Sequence, residues 1–328
     1  MVVKRGVPGV ARNGFVRVAV RLRVASTLLL CMFALTACLG ISSKEVNILG
    51  ASVFTTDANF SELYGYAARA KSAYDTEAGI RAKYANTVRV STPGKTNAQY
   101  FVERDDKAKV QYISIRGTAN RQNVFEDIEI KIQEDLSLAI PVHAGFDKTA
   151  RALYDDMKPF LKPNYKTYIT GHSLGGAIAA VLAIYLVDDK FDVAKVVTFG
   201  QPKFTTNAGV EKLGFLQVTR IVDENDIVPM LPPTTFRNRL HGAYEHVGPE
   251  IILLEGPRYV YLPEHDADRI SVGEFWRDLH FADLADHHMD NYLNRIAAKT
   301  KGAIAVSYDD REAYVAPKKK KTKSPAVN

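Results

Sequence analysis

The sequence predicts an α/β fold with a mostly parallel central sheet flanked by helices. Three observations carry that prediction. Strand-like and helix-like stretches alternate between residues 100 and 222, which is the pattern of parallel strands joined by crossover helices. At one of these junctions, residues 167–187, a β-rich run passes directly into a helix of small residues. The chain has 328 residues, 46% apolar and 24% charged, which suits a globular protein able to bury a core without staples. Disordered, collagen-like and coiled-coil classes are excluded.

From Ala58 to Tyr74, Phe60, Leu63, Tyr64, Ala67, Ala68 and Ala70 recur at helical spacing. Strands are expected at Tyr100–Glu103 and Lys109–Arg116, the second ending at Gly117. A helix over Gly145–Leu161 places Phe146, Ala150, Leu153, Tyr154, Met157 and Leu161 on one face, and Pro159 and Pro163 mark its end. A strand at Thr167–Thr170, a helix at Gly175–Val187 and strands at Lys195–Phe199 and Gln217–Val222 follow. Ile251–Leu254 and Tyr259–Leu262, divided by Glu255-Gly256-Pro257-Arg258, read as a hairpin. A last helix starts near Val272, breaks, and resumes over Met289–Ala298.

The formal charge of +6 hints at nucleic acid or an anionic membrane, but its distribution removes the nucleic-acid reading. Six of the 43 basic residues (Lys4, Arg5, Arg12, Arg17, Arg21, Arg23) precede Cys38, with no acidic residue among them. Five lysines occupy residues 318–323. The segment between carries 32 basic against 37 acidic residues. The basic N-terminal run leads into an apolar stretch, Val24–Leu35, too short to span a bilayer but suited to a secretory signal. It ends in Leu35-Thr36-Ala37-Cys38, which resembles the lipobox of bacterial lipoproteins. The resemblance implies cleavage before Cys38, diacylation of its thiol and a two-chain membrane anchor. Leu39 in the next position implies outer-membrane export in a Gram-negative cell. The expected organisation is a signal peptide over 1–37, a tether over 38–57, an α/β domain over 58–316 and a Lys-rich solvated tail over 317–328.

Gly171-His172-Ser173-Leu174-Gly175 fits G-x-S-x-G, the nucleophile elbow. Its serine sits on a tight strand-to-helix turn, and the flanking positions must be small because strand and helix approach closely. Tyr168-Ile169-Thr170 enters the turn and Gly176-Ala177-Ile178-Ala179-Ala180-Val181-Leu182 leaves it, which is the context the motif requires. A serine hydroxyl needs a base, normally a histidine oriented by a carboxylate. The elbow predicts that acid and then histidine follow in the chain. The acid candidate is Asp226, at a strand end before Ile227-Val228-Pro229, with Asp223 and Glu224 as rivals. The histidines beyond it are His241, His246, His265, His280, His287 and His288. His287-His288-Met289-Asp290 is a poor metal set, since adjacent helical side chains diverge and no i,i+4 histidine pair is present.

In order along roughly Ser61–Tyr292, further motifs join the elbow. They are Ile115-Arg116-Gly117-Thr118 with Asn123 and Ile128, Val142-His143-Ala144-Gly145-Phe146, Thr198-Phe199-Gly200-Gln201-Pro202, Asn225-Asp226-Ile227-Val228-Pro229 with Leu231-Pro232-Pro233, and Tyr244-Glu245-His246-Val247-Gly248 with Glu250. Together they resemble the class 3, fungal-type triacylglycerol lipases of the α/β-hydrolase fold. The resemblance implies Ser173 as nucleophile, Asp226 as orienting acid and a histidine within D-H-x-x-x-x-Y. Asp286-His287 with Tyr292 fits that pattern, with His288 as the neighbouring alternative. It also implies an oxyanion hole at Thr118 and Leu174, a short lid over about Ala119–Ile128 and a structural hairpin holding His246.

The expected function is a cofactor-free serine ester hydrolase of acyl-glycerol lipids, with no metal, that forms an acyl-enzyme. A phospholipase A1 or acyltransferase on the same fold is one alternative. A catalytically silent lipid-binding envelope lipoprotein is another.

Overall fold

A computed structural model describes residues 44–48, 51–117, 132–135, 140–232, 244–263 and 286–315. All lie in the unit that begins at Ser43. The signal segment, Cys38, Thr118, the lid, the helix expected near Val272 and the Lys-rich tail lie outside the described residues.

The first described elements are strands β1 (Lys44–Ile48) and β2 (Ala51–Thr55), an antiparallel pair in which Ile48 opposes Ala51. They fall inside the expected tether of residues 38–57, so that expectation is corrected. The signal was present in the alternation of β-branched Val46, Ile48, Val53 and Thr55 about Leu49-Gly50. Helix α1 (Phe60–Ser72) is capped by Asn59, whose side chain accepts from Ser61 N at 2.9 Å. Helix α2 (Glu77–Lys83), strand β3 (Thr87–Ser91), β4 (Tyr100–Asp105) and β5 (Val110–Ile115) follow. Strands β6 (Ile132–Asp135) and β7 (Ile140–His143) lead into helix α3 (Ala144–Met157). Its first turn is capped by His143, whose Nδ1 accepts from Gly145 N. The α-helix stops four residues before the predicted end and tightens into a 3₁₀ turn, Lys158–Phe160, because Pro159 has no N–H to continue it.

Strand β8 (Lys166–His172) passes through Ser173 into helix α4 (Leu174–Asp188). Every residue of α4 from Leu174 to Leu186 is buried, as expected for a helix apolar on all sides. Strand β9 (Asp192–Phe199), the short β10 (Thr205–Thr206), helix α5 (Asn207–Leu213) and strand β11 (Val218–Asp223) come next. Then come β12 (Tyr244–Glu245), β13 (Glu250–Leu253), β14 (Arg258–Leu262), helix α6 (Met289–Ala297) and β15 (Ile304–Ala305).

Among the described residues the main sheet has the order β15-β14-β13-β11-β9-β8-β5-β4-β3. Its centre, β5 through β13, is parallel at every junction. Antiparallel pairs stand toward the edges, at β3–β4, β4–β5 and the expected β13–β14 hairpin. Strand periodicity sorts the two faces. Tyr112 and Tyr168 pack near Tyr66 of α1, while their neighbours Ile113 and Ile169 join the core around α4. Helices therefore cover both faces, and the strand ends at Gly117, Ser173, Gly200 and Asp223 come together along one edge of the layer.

The crossing of β8 and α4 admits no side chain. A Cβ at Gly175 would lie 2.5 Å from the Ile115 carbonyl oxygen, and one at Gly171 would overlap the Gly175 carbonyl. Both obstacles are backbone, so neither moves cheaply. Gly175→Ala is expected to cost about 3 kcal/mol, the upper range for overpacking, read as a lowered denaturation midpoint. A midpoint unchanged from the parent would refute this account of the crossing.

Candidate active site

Ser173 occupies the turn between β8 and α4 with φ 59° and ψ −134°. For a residue with a Cβ this is a strained region. The strain is held by bonds on both sides: Ser173 N donates to Phe199 O at 2.8 Å, and Ser173 O accepts from Gly176 N at 2.8 Å. The reward is position. The hydroxyl stands at the N-terminus of a 15-residue helix, where the dipole favours developing negative charge. Leu174 is the first residue of that helix, so its N–H needs no intrahelical acceptor.

Asp226 leaves the end of β11 and is fixed through both carboxylate oxygens. Oδ1 accepts from Val228 N at 2.9 Å; Oδ2 accepts from Tyr292 Oη at 2.5 Å and faces His287 Nδ1 at 2.7 Å. Burial, aided by the Asp226 charge, holds the Tyr292 phenol well above its usual range, so it stays a donor. His287 Nδ1 carries the proton toward Asp226, which leaves Nε2 as the face with a free lone pair. Nε2 of His287 and Oγ of Ser173 are both buried, and neither has a hydrogen-bond partner among the described residues. Such bonds are often unmade before substrate arrives.

Gly200 explains its own motif. It adopts φ 56°, and a Cβ there would lie 2.7 Å from Asp226 Oδ2 and 2.8 Å from the His287 ring. The glycine of Thr198-Phe199-Gly200 lets the acid and the histidine close over the strand end.

A second charged layer stands behind the acid. Asp223, fully buried, meets Arg295 Nε at 2.7 Å, and Arg295 reaches Glu255 at 3.1 Å. Burial pushes the Asp223 carboxyl up to about 7; Arg295 opposes the shift and Asp226 adds to it. Lys299, also buried, donates to the carbonyls of Leu254, Gly256 and Arg295, and burial brings it down to about 8. Nothing in the local sequence signals either cluster, because both join segments far apart in the chain.

The structure thus brings Ser173, Leu174, Asp226 and His287 into one site. Thr118 lies outside the described residues, but Gly117 beside it reaches the same place: a Cβ on Gly117 would lie 2.9 Å from Ser173 Cβ. Glu224, a rival acid, pairs instead with Arg311 at 2.9 Å. His288, the neighbouring alternative, is the N-cap residue of α6. His246 is buried and donates from Nε2 to Pro229 O at 2.8 Å. Burial, with Arg220 and Lys203 nearby, holds its pKa well below normal, so it is neutral. The segment that carries it is no hairpin. Residues 244–250 leave β12, which pairs with β10, and enter β13 in the main sheet. Glu250 there pairs with the buried Arg220 at 2.5 Å. Tyr74, absent from the sequence reading, reaches the site with its hydroxyl 2.8 Å from His172 Nδ1. A cavity of about 240 Å³ adjoins Leu174, the residue after the serine; it is also bounded by Ala98, Gly117, Phe146 and Ile178, with Arg116 and Asn97 among its polar residues.

With this geometry in place, comparison with known proteins is informative. Residues 112–236 match the family model of Lipase (class 3). The secreted mono- and diacylglycerol lipase 1 of Fusarium solani is 32% identical over 174 residues, 50% of this chain and 50% of that protein. The chain therefore spans about half the length of that curated relative. Among solved structures, a lipase from Rhizopus microsporus var. chinensis is 27% identical with a TM-score of 0.52, covering 61% of this chain and 76% of its own. The triacylglyceride lipase of Rhizomucor miehei superposes with a TM-score of 0.57 over 76% of this chain and 96% of its own, at 23% identity. These likenesses establish the α/β-hydrolase fold.

The Asp223–Arg295 pair predicts a pH-dependent variant. The folded Asp223 carboxyl lies above the ordinary value of about 3.9, so the fold gains by protonating it. That contribution is full below about pH 4 and is lost as pH rises through about 7. Arg295 offsets the loss. Arg295→Gln should therefore cost about 3 kcal/mol at pH 8 and clearly less at pH 5, where a proton neutralises Asp223. Denaturation midpoints at the two pH values test it; equal losses would contradict the pairing.

Proposed function

From the match of residues 112–236 to the Lipase (class 3) family model, we propose that the chain is a class 3 lipase-like serine hydrolase of acyl-glycerol esters, acting through Ser173, His287 and Asp226. One observation carries the reading: a strained serine at a helix N-terminus shares a buried site with a histidine whose far nitrogen is held by a doubly anchored carboxylate. Ser173 Oγ attacks the ester carbonyl carbon as His287 Nε2 takes its proton. Negative charge gathers on the former carbonyl oxygen, facing Leu174 N–H and the proposed donors of Thr118. Collapse breaks the bond to the alcohol, which leaves with the proton from His287. Water, deprotonated by the same nitrogen, then releases the acyl group and restores Ser173. No cofactor or metal enters this sequence of steps.

The relative from Fusarium solani, named a mono- and diacylglycerol lipase, supports glycerol esters as the substrate class. The cavity of about 240 Å³, lined by Phe146, Leu174 and Ile178, offers an apolar wall for an acyl chain. The test is hydrolysis of a panel of mono-, di- and triacylglycerols, phospholipids and p-nitrophenyl esters. Parent protein should release fatty acid, and Ser173→Ala and His287→Ala should each lose at least 10³-fold in kcat. Cleavage of phospholipids alone would support the phospholipase reading. Acyl transfer to an added alcohol at the expense of hydrolysis would support an acyltransferase. Equal inactivity of parent and Ser173→Ala on every ester would support a silent lipid-binding protein.

The second part of the proposal concerns place. The basic segment, the apolar run and Leu35-Thr36-Ala37-Cys38 support an exported lipoprotein of the bacterial envelope, anchored through Cys38, in the outer membrane if the cell is Gram-negative. Two acyl chains suffice for stable anchoring. Cys38→Ala should move the protein from the membrane pellet to the soluble fraction, and unchanged sedimentation would refute the anchor.

A further inference from the structure

Tyr74 sits two residues beyond α1, and its backbone is bracketed by a single side chain. Gln99 Nε2 donates to the carbonyls of Ala73 at 2.9 Å and Asp75 at 2.8 Å. The Gln99 carbonyl in turn accepts from Arg116 N at 2.8 Å. Tyr74 is thereby tied to the end of β5, the strand that leads to Gly117. Its hydroxyl oxygen accepts from Gly117 N at 3.2 Å and lies 2.8 Å from His172 Nδ1. The other nitrogen of His172, Nε2, lies 2.9 Å from the carbonyl oxygen of His287.

The direction of every bond follows from the last one. A carbonyl only accepts, so His172 Nε2 carries the ring proton. In the neutral ring Nδ1 is then a bare acceptor, and Tyr74 donates to it. The result is a chain of single sense, from Gly117 N–H to Tyr74 O–H to the His172 ring and on to the His287 carbonyl. It joins the strand end beside the proposed oxyanion donor, the residue before the nucleophile, and the backbone of the proposed base. The His172 and His287 rings lie 4.5 Å apart and 32° from parallel, so the two imidazoles are also in contact.

Resting on the proposed hydrolase reading, we infer that Tyr74 and His172 are positioning residues that lock these three parts into one geometry. Neither takes part in bond making. The Tyr74 ring packs against the His172 ring, with centroids 5.8 Å apart, and a phenylalanine keeps that contact, so the consequence of losing the hydroxyl alone falls on alignment. Misplacement of reacting groups by about 1 Å can cost 10²-fold in rate, and a slackened clamp should cost part of that. The fixed tautomer also makes His172 a specific requirement, since a side chain that offers only a donor or only an acceptor breaks one end of the chain.

The experiment is a double-mutant cycle on the full chain with p-nitrophenyl butyrate, a soluble ester, and a denaturation midpoint for each protein. Tyr74→Phe keeps the ring and removes the hydroxyl. It should lower kcat about tenfold, with KM within twofold of the parent and the midpoint within 2–3 °C, roughly the span of a small stability change. His172→Phe breaks both ends and should lower kcat further. The double variant should be no slower than His172→Phe, because the two residues act as one unit. Tyr74→Phe with parental kcat overturns the clamp, as does a double variant whose losses multiply. Should His172→Phe fail to fold, the kcat-against-KM split of Tyr74→Phe decides alone. A parent with no Ser173-dependent turnover overturns the hydrolase reading and the clamp with it; an active parent with an unaffected Tyr74→Phe overturns the clamp only.

Discussion

At Ser173 the chain turns from strand to helix within one residue, at φ 59°, and a backbone forced into that region needs its surroundings to hold it. The surroundings are backbone almost entirely. Strand β8 and helix α4 approach so closely that a Cβ at Gly175 would strike Ile115 and Arg116 of the neighbouring strand end. Phe199 O takes the serine N–H. The crossing therefore also sets where β5 and β9 end, and with them Gly117 and Gly200. Gly200 then sets how closely Asp226 and His287 can close over it. One strained residue and three glycines determine where four functional groups can be placed, which is why the site needs no compensating flexibility in its side chains.

Electrostatics add a second constraint that sterics cannot supply. Among the described residues, the partners of the buried Asp226 carboxyl are a phenol, an imidazole and a backbone N–H. In the proposed mechanism, that environment leaves the carboxylate available to stabilise an imidazolium at His287 instead of a fixed lysine or arginine. The cation in this region, Arg295, meets Asp223 one layer back and continues to the half-exposed Glu255. Tyr292 stands between the layers, donating to Asp226 and accepting from Asp223 N. Charge is thus neutralised stepwise toward solvent, and the innermost carboxylate keeps its full effect on the histidine.

What was legible in the sequence follows the same division. The elbow could be read because the steric demand falls on residues close together in the chain: glycines at 171, 175 and 176 around a serine. The central strands and α4 could be read from apolar runs bounded by turn residues. Asp226 and His287 were reached through chain order and family motifs, and the structure brings them within 2.7 Å of each other. Tyr74 was not legible: it reads as one more aromatic at the end of an amphipathic helix, and its partner lies 98 residues away. Arg295, Lys299 and Arg311 read as surface charges on a C-terminal segment, yet each is drawn inward by a carboxylate or carbonyls contributed by β11 or the β13–β14 turn. The β1–β2 strands carry a weak alternation, since they are five residues long and only half apolar. Sequence patterns report local period and turn chemistry, whereas these contacts depend on which strand ends the topology makes adjacent.

The proposed base is fixed by contacts from several separate parts of the chain. The family match ends at residue 236, and His287 lies 51 residues further on. Its placement rests on three bonds. Asp226 holds its ring, His172 holds its carbonyl, and Tyr292, one turn into α6, grips the same carboxylate. The first and third share an oxygen of Asp226, so the ring of His287 and the start of α6 are fixed to a single point. The second approaches from the elbow. Two anchors from different strands fix both the position and the rotation of the imidazole, and rotation is what aims Nε2 at a substrate. His288 is the residue that caps α6. Between the two adjacent histidines, the proposed choice of His287 is supported by its contacts to both the acid loop and the elbow.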